Sequence, residues 1–215
     1  MWADESTGIT LKEMKITVFI AACCLIILSL GCGRQPQIIK LSESSVVVAF
    51  GDSLTAGTGA NAAESYPSVL ANILGCRVVN EGIPGEESSA ALKRLPMILK
   101  KEKADLVLIC EGGNDMLRKQ PDEVIRNNLD SMISMARDSG VDVVLIGVPR
   151  PGLLMKAPPL YQQLADKHGI PCDSKIISKL LSSPVLKSDY AHPNAAGYKI
   201  LAESVADLIQ KSQRK

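Results

Sequence analysis

The sequence predicts an α/β fold, a three-layer α/β/α sandwich on a mostly parallel five-stranded sheet. Five short apolar, largely β-branched runs recur between residues 46 and 172. Segments of helical periodicity separate them, the alternation that builds parallel strands with helices on both faces. The chain has 215 residues, 46% hydrophobic and 22% charged, which suits one domain with a packed aliphatic core.

Before the domain, residues 16–31 (ITVFIAACCLIILSLG) carry no charge and follow Lys12 and Lys15. A positive start, an apolar stretch and a small residue before the break are the anatomy of a secretory signal. Sixteen residues are short for a membrane span, which needs ~20. Leu28-Ser29-Leu30-Gly31-Cys32 resembles a bacterial lipoprotein signal, so Cys32 is the expected lipidated N-terminus; an uncleaved anchor and plain cleavage are the alternatives. Met14-Lys15 makes a more typical signal start than Met1, which marks 1–13 as an upstream extension. The expected organisation is a signal segment over 1–31, a polar tether over 32–45 and a domain over 46–212. The expected location is the bacterial periplasm or envelope.

Within the domain, residues 46–50 (VVVAF) read as the first strand and 66–74 as a helix stopped by Gly75. Residues 77–80 are the second strand. Residues 88–101 are a helix with Ala91, Leu92, Leu95, Ile98 and Leu99 on one side and Pro96 crowding it. Residues 106–110 (LVLIC) are the third strand, followed by a turn at Glu111-Gly112-Gly113. Residues 121–139 form the clearest amphipathic helix, with Val124, Ile125, Leu129, Met132, Ile133, Met135 and Ala136 on its stripe. Residues 141–148 are the fourth strand, 158–168 a helix, 170–172 a short fifth strand and 195–210 the closing helix.

Composition excludes several functions. Net charge is +1, from 24 Lys+Arg against 23 Asp+Glu, without a basic run, so no nucleic-acid surface is expected. Aromatics at 3% argue against a base-stacking platform or an aromatic sugar cleft. Cys76, Cys110 and Cys172 remain after the signal, an odd number read as buried thiols. His168 and Cys172 are four apart, but no second pair accompanies them, so no metal site is expected.

In parallel α/β sheets the reactive residues gather on loops beyond the carboxyl ends of strands. Four such loops stand out: Gly51-Asp52-Ser53-Leu54-Thr55-Ala56-Gly57, Asn80-Glu81-Gly82-Ile83-Pro84-Gly85, Gly112-Gly113-Asn114-Asp115, and Asp189-Tyr190-Ala191-His192-Pro193-Asn194. Each alone is weak. Ser53 is an N-cap as readily as a nucleophile. Asp52 is expected to bond its own turn and Asp115 to act as a local cap. No Gly-Lys-Ser/Thr follows Gly51, which excludes a phosphate loop. Thr55, two after Ser53, excludes the glycine-bearing elbow of the α/β-hydrolases.

Together and in this order, the four blocks resemble those of the SGNH or GDSL hydrolases. The likeness is to the bacterial thioesterase I, lysophospholipase L1 and arylesterase branch, and it continues through Leu92-Lys93-Arg94-Leu95-Pro96. It covers about residues 46–209 and implies a flavodoxin-like sandwich. It further implies a Ser53–His192–Asp189 triad acting on acyl esters or thioesters through an acyl-enzyme. The implied oxyanion donors are the N–H groups of Ser53 and Gly85 and the side-chain amide of Asn114. Gly82 is the rival of Gly85, which is preferred because it lies five residues after Asn80. No cofactor is implied. The expected partners are a small acyl ester or lipid and, through the lipid anchor, a membrane; the enzyme is expected to be a monomer. A carbohydrate O-deacetylase and a silent envelope lipoprotein are the alternatives. Tyr190 stands where many relatives have glycine, and residues 150–159, with Leu153, Leu154 and Met155, match the family only loosely. The ring of Tyr190 is expected to narrow the site, and residues 150–159 to flank the acyl groove.

Overall fold

The computed structural model of the chain describes residues 36–152 and 155–214. The signal segment, Cys32, Leu153 and Leu154 lie outside the described residues. The five strands are β1 (Val46–Gly51), β2 (Arg77–Gly82), β3 (Leu106–Cys110), β4 (Asp142–Ile146) and β5 (Cys172–Asp173). All four pairings are parallel, in the order β2-β1-β3-β4-β5. The longer helices are α2 (Tyr66–Leu74), α3 (Ser88–Glu102), α5 (Asp122–Asp138), α6 (Leu160–His168) and α8 (Ala195–Ser212). Helix α3 packs on α5 and α5 on α6, while α2 packs on α8, so the sheet carries a helical layer on each face. The expected three-layer sandwich is the one found.

The strands form where the apolar runs allow burial on both faces. Val47 to Phe50 and Leu106 to Cys110 are completely buried. Edge strand β2 is more polar and more exposed, as its single neighbour permits. It runs two residues past the expected end because Gly82 pairs with Gly51. Strand β5 sits later than expected. The Ile170 N–H closes the end of α6 on the Ala165 carbonyl, and the ladder begins only where the Leu145 N–H reaches the Pro171 carbonyl.

Three short α-helices were not foreseen: α1 (Ser53–Ala56), α4 (Gly113–Leu117) and α7 (Ile176–Leu181). The first two are single turns springing from strand ends, too short for periodicity to register. Pro96 does not interrupt α3, in which it lies on the exposed face. Val124, expected on the buried stripe of α5, is 39% exposed in the first turn. The tether also needs correction. Ile38 is buried, donates its N–H to Ser212 and accepts from Arg214, so the domain begins near residue 38 and runs to the end of the described chain.

Register places the chemistry. Gly51 pairs with Gly82 on one side and with Cys110 on the other, so β1, β2 and β3 end level and their loops emerge at one edge. Close approach demands glycine there: a Cβ on Gly82 would lie 2.1 Å from the Ala56 nitrogen, against the backbone of α1. Gly85 differs, with φ +81° and nothing within 4 Å of a Cβ. Gly82→Ala is therefore expected to cost about 2–3 kcal/mol in urea unfolding, from overpacking. Gly85→Ala should cost only about 1 kcal/mol, from its backbone conformation. Equal losses would contradict this division.

Candidate active site

Strand β1 ends at Gly51, and the chain turns at Asp52 into α1. The Asp52 carboxylate accepts the Leu54 N–H at 2.9 Å, the local bond the sequence suggests, and Gly57 closes the turn at φ 91°. Ser53 thus sits at the first position of a short helix, above the carboxyl end of a central strand.

The hydroxyl of Ser53 lies 2.9 Å from His192 Nε2. The other ring nitrogen, Nδ1, lies 2.8 and 3.0 Å from the two Asp189 oxygens. An ionised carboxylate only accepts, so the proton belongs on Nδ1, which leaves Nε2 as an acceptor for the serine hydroxyl. Asp189 Oδ1 also accepts the N–H groups of Ala191 and His192, at 2.7 and 2.9 Å. Partial burial pushes the Asp189 carboxyl up, but the bonds from the His192 ring and these two amides outweigh it and hold it below the usual range.

The loop bearing Asp189 and His192 is braced. The Ser188 N–H bonds the His192 carbonyl, and Asn194 caps α8 through Gly197 N–H while its amide holds the Val185 carbonyl. The Tyr198 hydroxyl donates to the Thr58 carbonyl at 2.8 Å, fastening α8 to the loop after Ser53.

Gly85 and Asn114 face the same cavity as Ser53 and His192. The Asn114 amide donates to the Glu86 carbonyl at 2.9 Å and to Asp52 Oδ2 at 3.2 Å. Neither the Ser53 nor the Gly85 N–H finds an acceptor among the described residues. The structure thus brings every site residue expected in the domain to one place. Asp115 departs from expectation: it caps not its own turn but α3, accepting the N–H and hydroxyl of Ser88 at 2.8 and 2.5 Å.

The cavity measures ≈ 280 Å³. Leu54, Leu117, Val148, Met155 and Leu181 make its walls largely apolar, and Arg150 and Pro151 lie at its edge. Tyr190 lines one side and accepts the Gly152 N–H at 2.8 Å, joining the loop of Asp189 and His192 to the segment after β4. Leu117 and Leu181 lie on the short helices that the sequence pattern did not reveal. Glu111 was also missed. It is wholly buried at the end of β3, and burial, then the charges of Asp52 and Glu86, push its carboxyl well above the usual range.

Among the described residues no three His, Cys, Asp or Glu side chains converge as a metal set would. The His168 ring instead meets Asp130 at 2.6 Å.

Residues 49–200 match the model of the GDSL-like lipase/acylhydrolase family. An arylesterase of Vibrio mimicus is 32% identical over 179 residues, covering 78% of this chain and 90% of that protein. Thioesterase 1/protease 1/lysophospholipase L1 of Escherichia coli is 25% identical, covering 80% and 86%. The crystal structure of TesA superposes with a TM-score of 0.70 at 28% identity, covering 78% of this chain and 99% of that one.

Asp52 offers a test of the electrostatics beneath the site. Burial pushes its carboxyl up to about 6, from an ordinary 3.8. Between these values the folded state holds a proton that the unfolded chain has lost, so stability from this group is present at low pH and fades as pH rises toward 6. Asp52→Asn should flatten the decline in Tm between pH 4 and 6 by on the order of 5 °C. A slope unchanged in the variant would remove Asp52 from this role.

Proposed function

Because the chain belongs to the GDSL-like lipase/acylhydrolase family, a family of serine ester-bond hydrolases, we propose that it cleaves acyl esters or thioesters with Ser53, His192 and Asp189. The observation that carries this reading is the continuous chain of hydrogen bonds from the Ser53 hydroxyl through His192 to Asp189, opening on an apolar cavity. Its arylesterase and thioesterase relatives support the substrate class.

The steps follow from the geometry. Ser53 Oγ attacks the acyl carbonyl while His192 Nε2 takes its proton. The carbonyl oxygen gains the electron pair and is received by the N–H groups of Ser53 and Gly85 and by the Asn114 amide, which keeps its bond to Glu86 and exchanges the longer one to Asp52 for the oxyanion. Collapse expels the alcohol or thiol, which takes the proton back from Nε2. Water then attacks the acyl-enzyme, again giving a proton to His192, and the carboxylic acid leaves as Ser53 is restored. Asp189 holds the ring in one tautomer and balances its charge in each half-reaction. The side walls of Leu54, Val148 and Leu181 suit a hydrocarbon acyl group better than a sugar.

Treatment with a fluorophosphonate should place one adduct on Ser53, and Ser53→Ala should lose at least ~10³-fold in kcat with p-nitrophenyl esters. An adduct elsewhere, or full activity in the variant, would overturn the mechanism.

The apolar run 16–31 and the Gly31-Cys32 junction support export and lipid attachment at Cys32. The first described residues of the domain pack at the start of β4, where the Ile39 N–H meets the Asp142 carboxylate, away from the edge that bears Ser53. Expression in a bacterium with labelled palmitate should label the wild type and not Cys32→Ser; label retained in that variant would place the lipid elsewhere.

A further inference from the structure

We propose that Arg94 is the positioning residue of the oxyanion site, its guanidinium setting the turn that carries Gly85 and the carbonyl against which Asn114 is aimed. The proposal rests on the reading of Gly85 and Asn114 as oxyanion donors.

Gly85 cannot position itself. No atom lies within 4 Å of where its Cβ would be, and its φ of +81° is one that glycine leaves easily. The direction of its N–H is therefore set by the turn around it, which the Ile83 N–H to Gly51 carbonyl bond at 2.9 Å and the Glu86 N–H to Ile83 carbonyl bond at 3.1 Å close, and Arg94 holds Glu81 before that turn and Glu86 at its end. From α3 it gives Nε to Glu86 Oε1 at 3.1 Å and Nη2 to Glu86 Oε2 at 2.6 Å, a two-pronged grip. Its remaining contacts go to Glu81, with Nη1 on Oε2 at 3.2 Å and Nη2 on the backbone carbonyl at 3.0 Å. Glu81 precedes Gly85 by four residues and Glu86 follows it. The Glu86 carbonyl is also the acceptor of the Asn114 amide at 2.9 Å, so fixing Glu86 fixes Asn114 as well.

The same guanidinium lies 4.2 Å from the centroid of the Phe50 ring, on the strand that delivers Ser53. One planar cation thus spans the supports of all three donors. Its side chain is 14% exposed and that of Glu86 is 6%, so the contacts act with little competition from water. Two weaker side-chain supports exist. Arg118, half exposed, donates to the Gly85 carbonyl at 3.2 Å, and Lys101 approaches Glu81 at 3.8 Å from solvent. Neither touches Glu86. A lysine at position 94 would keep the charge but not the fork, since one nitrogen cannot serve two carboxylates and a carbonyl in a plane.

The role predicts a particular kinetic signature. A misplaced oxyanion site spares substrate binding and penalises the tetrahedral species. Arg94→Lys should lower kcat on p-nitrophenyl butyrate roughly 10–100-fold, counted per site titrated with fluorophosphonate, with KM within about twofold. Affinity for an alkylboronic acid, which forms a tetrahedral adduct on the serine, should weaken by the same factor as kcat/KM. Affinity for the product fatty acid should not change. Glu86→Gln keeps an acceptor for Arg94 and should show the same split at a few-fold, which provides a second variant should Arg94→Lys fold poorly. Asn114→Ala, which lacks a donor outright, calibrates the scale at roughly 10²–10³ in kcat. If Arg94→Lys and Glu86→Gln lower Tm while kcat and boronate affinity stay at wild-type values, Arg94 is a structural ion pair only and the proposal falls. An Asn114→Ala enzyme of full activity would instead overturn the donor assignment, and the proposal with it.

Discussion

The site depends on one constraint, the level ending of three parallel strands. Because Gly51 stands opposite both Gly82 and Cys110, the loops bearing Ser53, Gly85 and Asn114 leave the sheet at the same height. A slip of one residue between β1 and β2 would turn every side chain of the edge strand to the other face. It would also separate Ser53 from Gly85 by a strand rise of ~3.3 Å, more than the tolerance of a hydrogen bond. Glycine at both paired positions lets α1 pack down on the strand ends, where any Cβ would strike backbone. Sheet register thus sets the height at which these three loops leave the sheet, and the shape of each loop beyond it is left to local contacts.

Beneath this edge the protein collects acids. Asp52, Glu111 and Asp115 are buried, and Glu86 is nearly so. Their burdens are met differently. Asp115 is satisfied by the amide and hydroxyl of Ser88 at the start of α3, where a carboxylate also meets the favourable end of the helix dipole. Glu86 has Arg94. Asp52 has two N–H donors and a raised pKa. Among the described residues Glu111 has only the Gly112 N–H, at 3.3 Å, and one oxygen without a protein partner, and burial pushes its carboxyl well above the usual range. Such crowding costs stability and is tolerated where a polar site must be held rigid.

The fold was legible because the apolar runs of β1, β3 and β4 are buried on both faces and contain little else. Helix α2 ends where Gly75 says it should, with φ 66° at the cap. The elements not read were those decided by tertiary contacts. Strand β5 has two residues, too few for any pattern, and exists because β4 offers it a ladder. Helix α4 is one turn opened by Gly112 at φ 103°, and the sequence shows only a Gly-Gly turn there. The four loop blocks were legible as residue types in order, and the preference for Gly85 over Gly82 rested on spacing; the structure adds that Gly82 packs against α1 while Gly85 lines the cavity. Arg94 was visible only as part of a motif. What makes it informative is that Glu81, Glu86 and Phe50 meet on it, and no local pattern announces that.

The chain's two histidines show how little a pairing alone reveals. Both meet an aspartate, at 2.6 Å for His168 and 2.8 Å for His192. In His168 the nitrogen engaged is Nε2, and the same Asp130 is shared with Lys167 at the end of α6, where cations complement the helix terminus. That ring is held as a structural partner. In His192 the aspartate takes Nδ1, leaving Nε2, the nitrogen farther from the backbone, to reach across to Ser53. The spacing of three residues makes this possible, because Asp189 Oδ1 accepts the Ala191 and His192 amides as well as the ring. One carboxylate therefore folds the loop and orients the His192 ring. The distinction lies in which nitrogen the backbone turn leaves free, and the short Asp-x-x-His turn imposes that choice locally, whereas Asp130 reaches its histidine from a different helix.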